Sequence, residues 1–120
     1  MHLLFIFLGG GLGAVARWSI GWLSKMILGV AFPYGTLVAN VLGAFLIGMA
    51  YGWLTKQDSA TWFAPLLITG FLGGFTTFSS FSYETLFLFQ KAYYLKALLN
   101  IFFNVTLCLL AVLVGTKLTT

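Results

Sequence analysis

The chain has almost nothing with which to face water: six Lys and Arg and two Asp and Glu among 120 residues, 7% charged against 61% apolar. Soluble domains are about 25% charged, and a domain this small leaves much of its surface to solvent. The shortage of charge excludes a soluble globular protein. It excludes intrinsic disorder as well, which requires a polar and highly charged sequence. The one cysteine, Cys108, lies in an apolar run, so there is neither a disulfide framework nor a metal-ligand spacing. The one histidine, His2, is terminal, and no nucleophile and base pair stands elsewhere, which argues against an enzyme. Arg17, Lys25, Lys56, Lys91, Lys96 and Lys117 are scattered rather than clustered, which removes a nucleic-acid partner. The N-terminal MHLLFIFL lacks a basic region and runs on without a cleavage site, so it reads as a retained first span.

What the chain does have is hydrocarbon. About 20 apolar residues cross a bilayer, and apolar runs at 3–23, 34–54, 62–90 and 94–115 predict four spans in a single membrane domain, 1–120. Short breaks between them hold Lys25 and Pro33, then Lys56-Gln57-Asp58-Ser59, then Lys91 and Lys96. Trp18, Trp22, Tyr34, Tyr51, Trp53, Trp62, Tyr93 and Tyr94 fall near the ends of the spans, where amphipathic rings favour the headgroup boundary. Lys56 and Lys117 fall on one side of the membrane, and Lys25, Lys91 and Lys96 on the other, which is almost no orienting bias. Two readings follow. Either the chain inserts both ways and can pair as an antiparallel dimer about an axis in the membrane plane, or Arg17 and three lysines set one orientation.

Polar groups inside a span are costly and are the candidates for function. Arg17 follows Gly9-Gly10-Gly11-Leu12-Gly13-Ala14 in the first span, where a guanidinium attracts an anion, pairs with a carboxylate or snorkels to the interface. Gly9 to Ala14 also fits the G-x-G-x-x-A dinucleotide pattern, a false match because no strand–turn–helix unit surrounds it. Glycines four apart (Gly9 and Gly13, Gly48 and Gly52, Gly70 and Gly74) instead allow close helix contact. Asn40 in the second span either donates to an anion or bridges helices. Asn100, Asn104 and Cys108 share one face of the fourth span, a polar stripe that fits a pathway or a helix contact.

The third span is the anomaly. Residues 70–84, GFLGGFTTFSSFSYE, pack three glycines and five Ser and Thr residues into membrane positions, a poor composition for a regular helix. Irregular backbone at that depth is tolerated only where protein or a cavity surrounds it. A break near 73–76 frees carbonyl oxygens that suit a hard cation such as Na+; the alternative is a kink whose carbonyls Thr76 and Thr77 hydroxyls cap. Phe75, Phe78 and Phe81 recur every third residue, interleaved with Ser79, Ser80 and Ser82. Such a ring stripe commonly packs in a core or faces lipid. Here the positive ring edges beside hydroxyl donors can also hold a small anion without a fixed charge, which conduction requires. Glu84 ends the span or pairs with Lys91 or Arg17.

These stretches resemble the Fluc (CrcB type) family of bacterial fluoride channels over essentially the whole chain. GGGLGAVAR (9–17), PYGTLVANVLGAFLIG (33–48) and GFLGGFTTFSSFSYE (70–84) stand in family order and spacing. The resemblance implies an all-α membrane protein of four transmembrane helices with a break in the third, assembled as an antiparallel dual-topology homodimer in the bacterial plasma membrane. It implies a passive channel through which cytoplasmic fluoride leaves down its gradient, relieving toxicity. By motif, Phe78 and Phe81 match the paired phenylalanines of the fluoride path, Asn40 the span-two asparagine, and Arg17 the arginine near the anion entrance. The carbonyls of Gly73 and Thr76 match a Na+ site at the dimer interface, two oxygens from each subunit. Ser79 and Ser80 are expected on the path. So are Asn100 and Asn104, although they stand where the family commonly carries Tyr and Ser. Two rival classes are weighed against this. A small multidrug antiporter needs an embedded carboxylate, and the first span carries Arg17 and no acid; a noncatalytic assembly subunit would use the glycines for packing alone.

Overall fold

A computed structural model describes residues 1–56 and 63–120. The loop acid Asp58 and the expected start of the third span at Trp62 lie outside the described residues. Everything described is helix or connection, without strands. Helix α1 (His2–Leu28) runs unbroken through its glycines and stops at Gly29, whose φ of 84° suits a residue without Cβ and whose N–H caps the Lys25 carbonyl. Pro33 then precedes α2 (Tyr34–Leu54). These two and α5 (Tyr94–Thr119) are long and apolar enough to cross a membrane. The longest dimension, 51 Å, exceeds the hydrocarbon thickness of about 30 Å, so helix ends reach the headgroup region; α1 accordingly continues to Leu28, beyond the apolar run at 3–23.

The third span is not one helix. Pro65–Leu72 is a π-helical stretch, α3 (Gly73–Phe75) is a single turn, and Thr76 and Thr77 are extended before α4 (Phe78–Gln90) begins. The break thus falls at the end of the stretch where glycine and hydroxyl content predicts it. Thr77 starts α4 as its N-cap, its hydroxyl accepting from the Ser80 N–H at 3.1 Å. At the other end the Ala92 N–H donates to the Phe89 carbonyl and the Tyr93 N–H to the Leu88 carbonyl, with Ala92 at φ 63°. That is a Schellman turn, and it reverses the chain into α5 within three residues, Lys91 to Tyr93.

Packing follows from small residues. Lipid tails are as apolar as leucine, so helices associate through close contact rather than by leaving water. A methyl added to Gly9 would overlap the Leu66 carbonyl oxygen, and one on Gly13 the Phe71 carbonyl oxygen, which seats α1 against the π-helical stretch. Methyls on Gly48 and Gly115 would strike the Val112 and Phe45 carbonyl oxygens, which locks α2 against α5. Large apolar side chains point outward: Leu12, Val15, Val105 and Leu109 are all exposed, as lipid-facing residues are. Tyr51, Trp53, Tyr93 and Tyr94 are exposed near helix ends, where an aromatic belt is expected, whereas Trp18 and Trp22, also exposed, lie ten and six residues before the end of α1 because that helix runs on to Leu28.

Candidate functional site

The break is made by side chains that take the place of helical partners. In an uninterrupted helix the Gly73 carbonyl would accept from the Thr77 N–H, and the Thr76 carbonyl from the Ser80 N–H. Instead the Thr77 N–H donates to Asn40 Oδ1 at 2.8 Å, and the Ser80 N–H donates to Thr77 Oγ1 at 3.1 Å. Among the described residues no backbone donor reaches either carbonyl. The Thr76 hydroxyl does cap a carbonyl, that of Leu72 at 2.9 Å, one turn too early to satisfy the other two. Two oxygens are therefore left open by Asn40 and Thr77 together. Gly73 lies on an exposed face, with nothing closer than 3.8 Å to a Cβ built on it, and α2 makes room for Thr76 at Gly43.

Asn40 completes a two-point clasp. Its Nδ2 donates to the Thr77 carbonyl at 3.0 Å while its Oδ1 receives the Thr77 N–H, so a side-chain amide pairs with the backbone as a neighbouring strand would. The same Nδ2 donates to Asn104 Oδ1 at 3.0 Å. Asn104 in turn donates to the Asn100 carbonyl and to Asn100 Oδ1, and Asn100 donates to Thr85 Oγ1. Asn100 and Asn104 were expected to offer donors to a pathway; the structure brings them to Asn40 and engages their amides with protein groups.

The first turn of α4 divides two cavities. On one side is an open groove of about 480 Å³, lined by Asn40, Gly73, Thr76, Phe78, Phe81 and Asn104, so the ring pair and the freed carbonyls share one face of the molecule. On the other is a wider vestibule of about 840 Å³, lined by Thr36, Ser79, Ser80, Tyr83 and Glu84 together with Lys25 and Lys96. Thr77 Oγ1 and Ser79 Oγ lie 3.2 Å apart at the divide. Phe78 and Phe81 are neighbours, with ring centroids 5.4 Å apart and planes tilted by 56°. Phe81 is buried, whereas Phe78 is 79% exposed and presents its ring outward. Phe75 belongs elsewhere: it is 2% exposed and stacks on Phe71 at 5.7 Å, a core contact.

Four residues stand where sequence spacing alone did not place them. Glu84 meets neither Lys91 nor Arg17; it accepts the Thr36 hydroxyl at 2.6 Å, across the vestibule. Arg17 is half-buried on α1 and lines neither cavity. The cations at the vestibule are Lys25 and Lys96, the latter held over the Tyr93 ring at 4.8 Å. In the sequence these lysines sit in different breaks and signal only orientation; their convergence needs the Lys91–Tyr93 turn and the 29–33 connection. Among the described residues no cluster of His, Cys, Asp and Glu gathers ligands for a metal. The open donors are carbonyl oxygens, whose chemistry suits a hard cation.

The family described as "CrcB-like protein, Camphor Resistance (CrcB)" matches residues 4–116. A relative from Aeromonas salmonicida named "Fluoride-specific ion channel FluC" is 46% identical over 116 residues, covering 96% of this chain and 93% of that one. One of the same name from Shewanella pealeana is 42% identical over 117 residues, 98% of this chain and 94% of its own length. Another from Dehalococcoides mccartyi is 46% identical over 118 residues, 98% and 91% of the two chains.

Proposed function

The chain belongs to the CrcB-like family, and on that premise we propose that it is a fluoride-selective passive channel, a multi-pass protein of the bacterial plasma membrane and not an enzyme. The observation that carries the identity of the ion is the name shared by relatives at 42% and 46% identity over nearly the whole chain. HF crosses lipid at acid external pH, dissociates in a more alkaline cytoplasm and leaves fluoride trapped. A selective leak lets the anion run outward down its electrochemical gradient and relieves its toxicity.

On this reading fluoride gathers in the vestibule, where Lys25 and Lys96 raise the local anion concentration. Arg17, outside both cavities and one turn along α1 from Gly21 in the vestibule wall, adds positive charge at longer range. Ser79 and Ser80 hydroxyls replace part of the ion's hydration shell, and the edges of Phe81 and Phe78 carry it along the groove beside Asn40. Asn100 and Asn104 form the wall behind. A larger chloride ion fits this sequence of short donors and ring edges less well.

Two further elements complete the proposal. Gly73 and Thr76 offer two open oxygens on an exposed face, too few for a cation shell, and a second copy related by a two-fold axis in the membrane plane supplies two more. Na+ bound by these four carbonyls would be a structural ion at the interface of an antiparallel, dual-topology homodimer. The near balance of lysines between the two sides supports insertion in both orientations.

Expression in a fluoride-sensitive bacterium tests the function. The channel restores growth in fluoride at acid pH and lowers the cytoplasmic fluoride content; unchanged sensitivity with the protein present in the membrane contradicts the proposal.

A further inference from the structure

Asparagine occurs three times in this chain, and all three side chains meet in one relay. Its direction is forced from one end. A backbone N–H only donates and a carbonyl only accepts, so the clasp of Thr77 on Asn40, at 2.8 and 3.0 Å, fixes which end of the Asn40 amide is oxygen. Asn40 must then donate its remaining N–H, and Asn104 Oδ1 receives it at 3.0 Å. With its oxygen so used, Asn104 donates through Nδ2 to the Asn100 carbonyl at 2.9 Å and to Asn100 Oδ1 at 3.0 Å. Asn100 passes a donor to Thr85 Oγ1 at 2.9 Å, and the Thr85 hydroxyl donates to the Phe81 carbonyl at 2.7 Å. The relay leaves α4 at its N-cap, crosses α2 and α5, and returns to α4 one turn later, at the residue that carries the second ring.

We propose that Asn104, Asn100 and Thr85 are positioning residues of the ion path: they hold Asn40 and the Phe78–Phe81 turn in place and do not themselves donate to the ion. Three observations carry this. Asn100 is 0% and Asn104 5% exposed, and Thr85 is buried and lines neither cavity. Both N–H groups of Asn40 are engaged, Asn104 Nδ2 has two acceptors, and recruiting either donor for a passing anion would leave a buried partner unsatisfied. The relay has a single polarity, so a defect at its far end at Thr85 is felt at Thr77. The assignment rests on the fluoride-channel reading for the identity of the ion, but the relay stands on geometry alone.

Because the chain has three asparagines, asparagine-selective 15N labelling of the unaltered protein in detergent micelles resolves three side-chain amide pairs, one for each member of the relay. The proposal expects the Asn100 and Asn104 pairs to exchange slowly in D2O and to stay in place as KF is raised, as they do in KCl. Resonances of Asn100 or Asn104 that move with KF and not with KCl overturn it. A second arm reads flux in liposomes. Thr85→Val keeps the side-chain volume but removes the hydroxyl, and fluoride efflux falls about tenfold, as when an orienting partner is lost from a functional site. Thr85→Ser restores efflux. Wild-type efflux from a correctly folded Thr85→Val protein also overturns the proposal, and a variant that does not fold leaves the titration to decide. If the unaltered protein passes no fluoride, the channel reading fails while the exchange data still test the relay.

Discussion

The glycines of the α2–α5 seam and Gly73 at the break in the third span serve opposite ends. In the seam, glycine brings two intact helices together: Gly48 lies on the Val112 carbonyl, Gly115 on the Phe45 carbonyl, and Gly52 on the Thr116 carbonyl and the Thr119 hydroxyl. In the third span Gly73 has no such neighbour, its nearest atom being 3.8 Å from a Cβ built on it, and it stands on an open face where helical bonding stops. The seam uses glycine to become rigid, as Gly70 and Gly74 do where they meet the Ile6 and Gly10 carbonyl oxygens of α1; Gly73 instead leaves backbone oxygen accessible. Small residues in a membrane helix therefore do not carry one meaning. What distinguishes them is whether a Cβ would meet backbone or open space.

That contrast can be broken experimentally, beginning at the seam. Gly48→Leu forces a side chain into the α5 backbone, where nothing can give, and costs at least about 3 kcal/mol; little monodisperse protein is expected on size exclusion, and a wild-type yield would show that the seam is loose. Asn40→Asp next attacks the break: a carboxylate beside Thr77 cannot donate to its carbonyl and repels an anion, so fluoride efflux should fall about a hundredfold in protein that still folds. Normal efflux would reduce Asn40 to a packing residue.

Within the third span itself, Phe81→Ile or Phe78→Ile should lower fluoride efflux about tenfold with little change in thermal stability. Phe75→Ile should do the reverse, costing about 1–3 kcal/mol while fluoride remains preferred over chloride, because Phe75 is stacked on Phe71 in the core. An equal effect of all three on efflux would erase the distinction between path and core rings. The mildest perturbation leaves the chain unaltered: preparation without Na+ should shift the protein toward monomer by light scattering and reduce efflux, and an intact, fully active dimer would argue against a cation at the Gly73 and Thr76 carbonyls.

Much of this organisation is legible in the sequence because it depends on composition. Low charge and long apolar runs mark the spans, and the glycines and hydroxyls of 70–84 mark an interrupted helix, because those residue types fail locally. The face shared by Asn100 and Asn104 is visible too, since four-residue spacing is a local property. What that face meets is not visible: Asn40 is 64 positions from Asn104, and Thr36 is 48 from Glu84, so both pairings arise only from packing. The π-helical stretch at Pro65–Leu72 has no compositional signature beyond its proline. The separation of Phe75 from Phe78 and Phe81 is equally hidden, since a three-residue ring stripe carries no sign of the extended step at Thr76 and Thr77 that turns the later rings to another face.

The central claim is that this broken span forms a path selective for fluoride. Purified protein in liposomes loaded with KF, with efflux followed by a fluoride electrode after valinomycin is added and KCl-loaded liposomes as control, tests it most directly. Rapid fluoride loss with negligible chloride loss is the result expected. Equal loss of both anions, or none from folded protein, would contradict it and return the rings and glycines of the third span to packing.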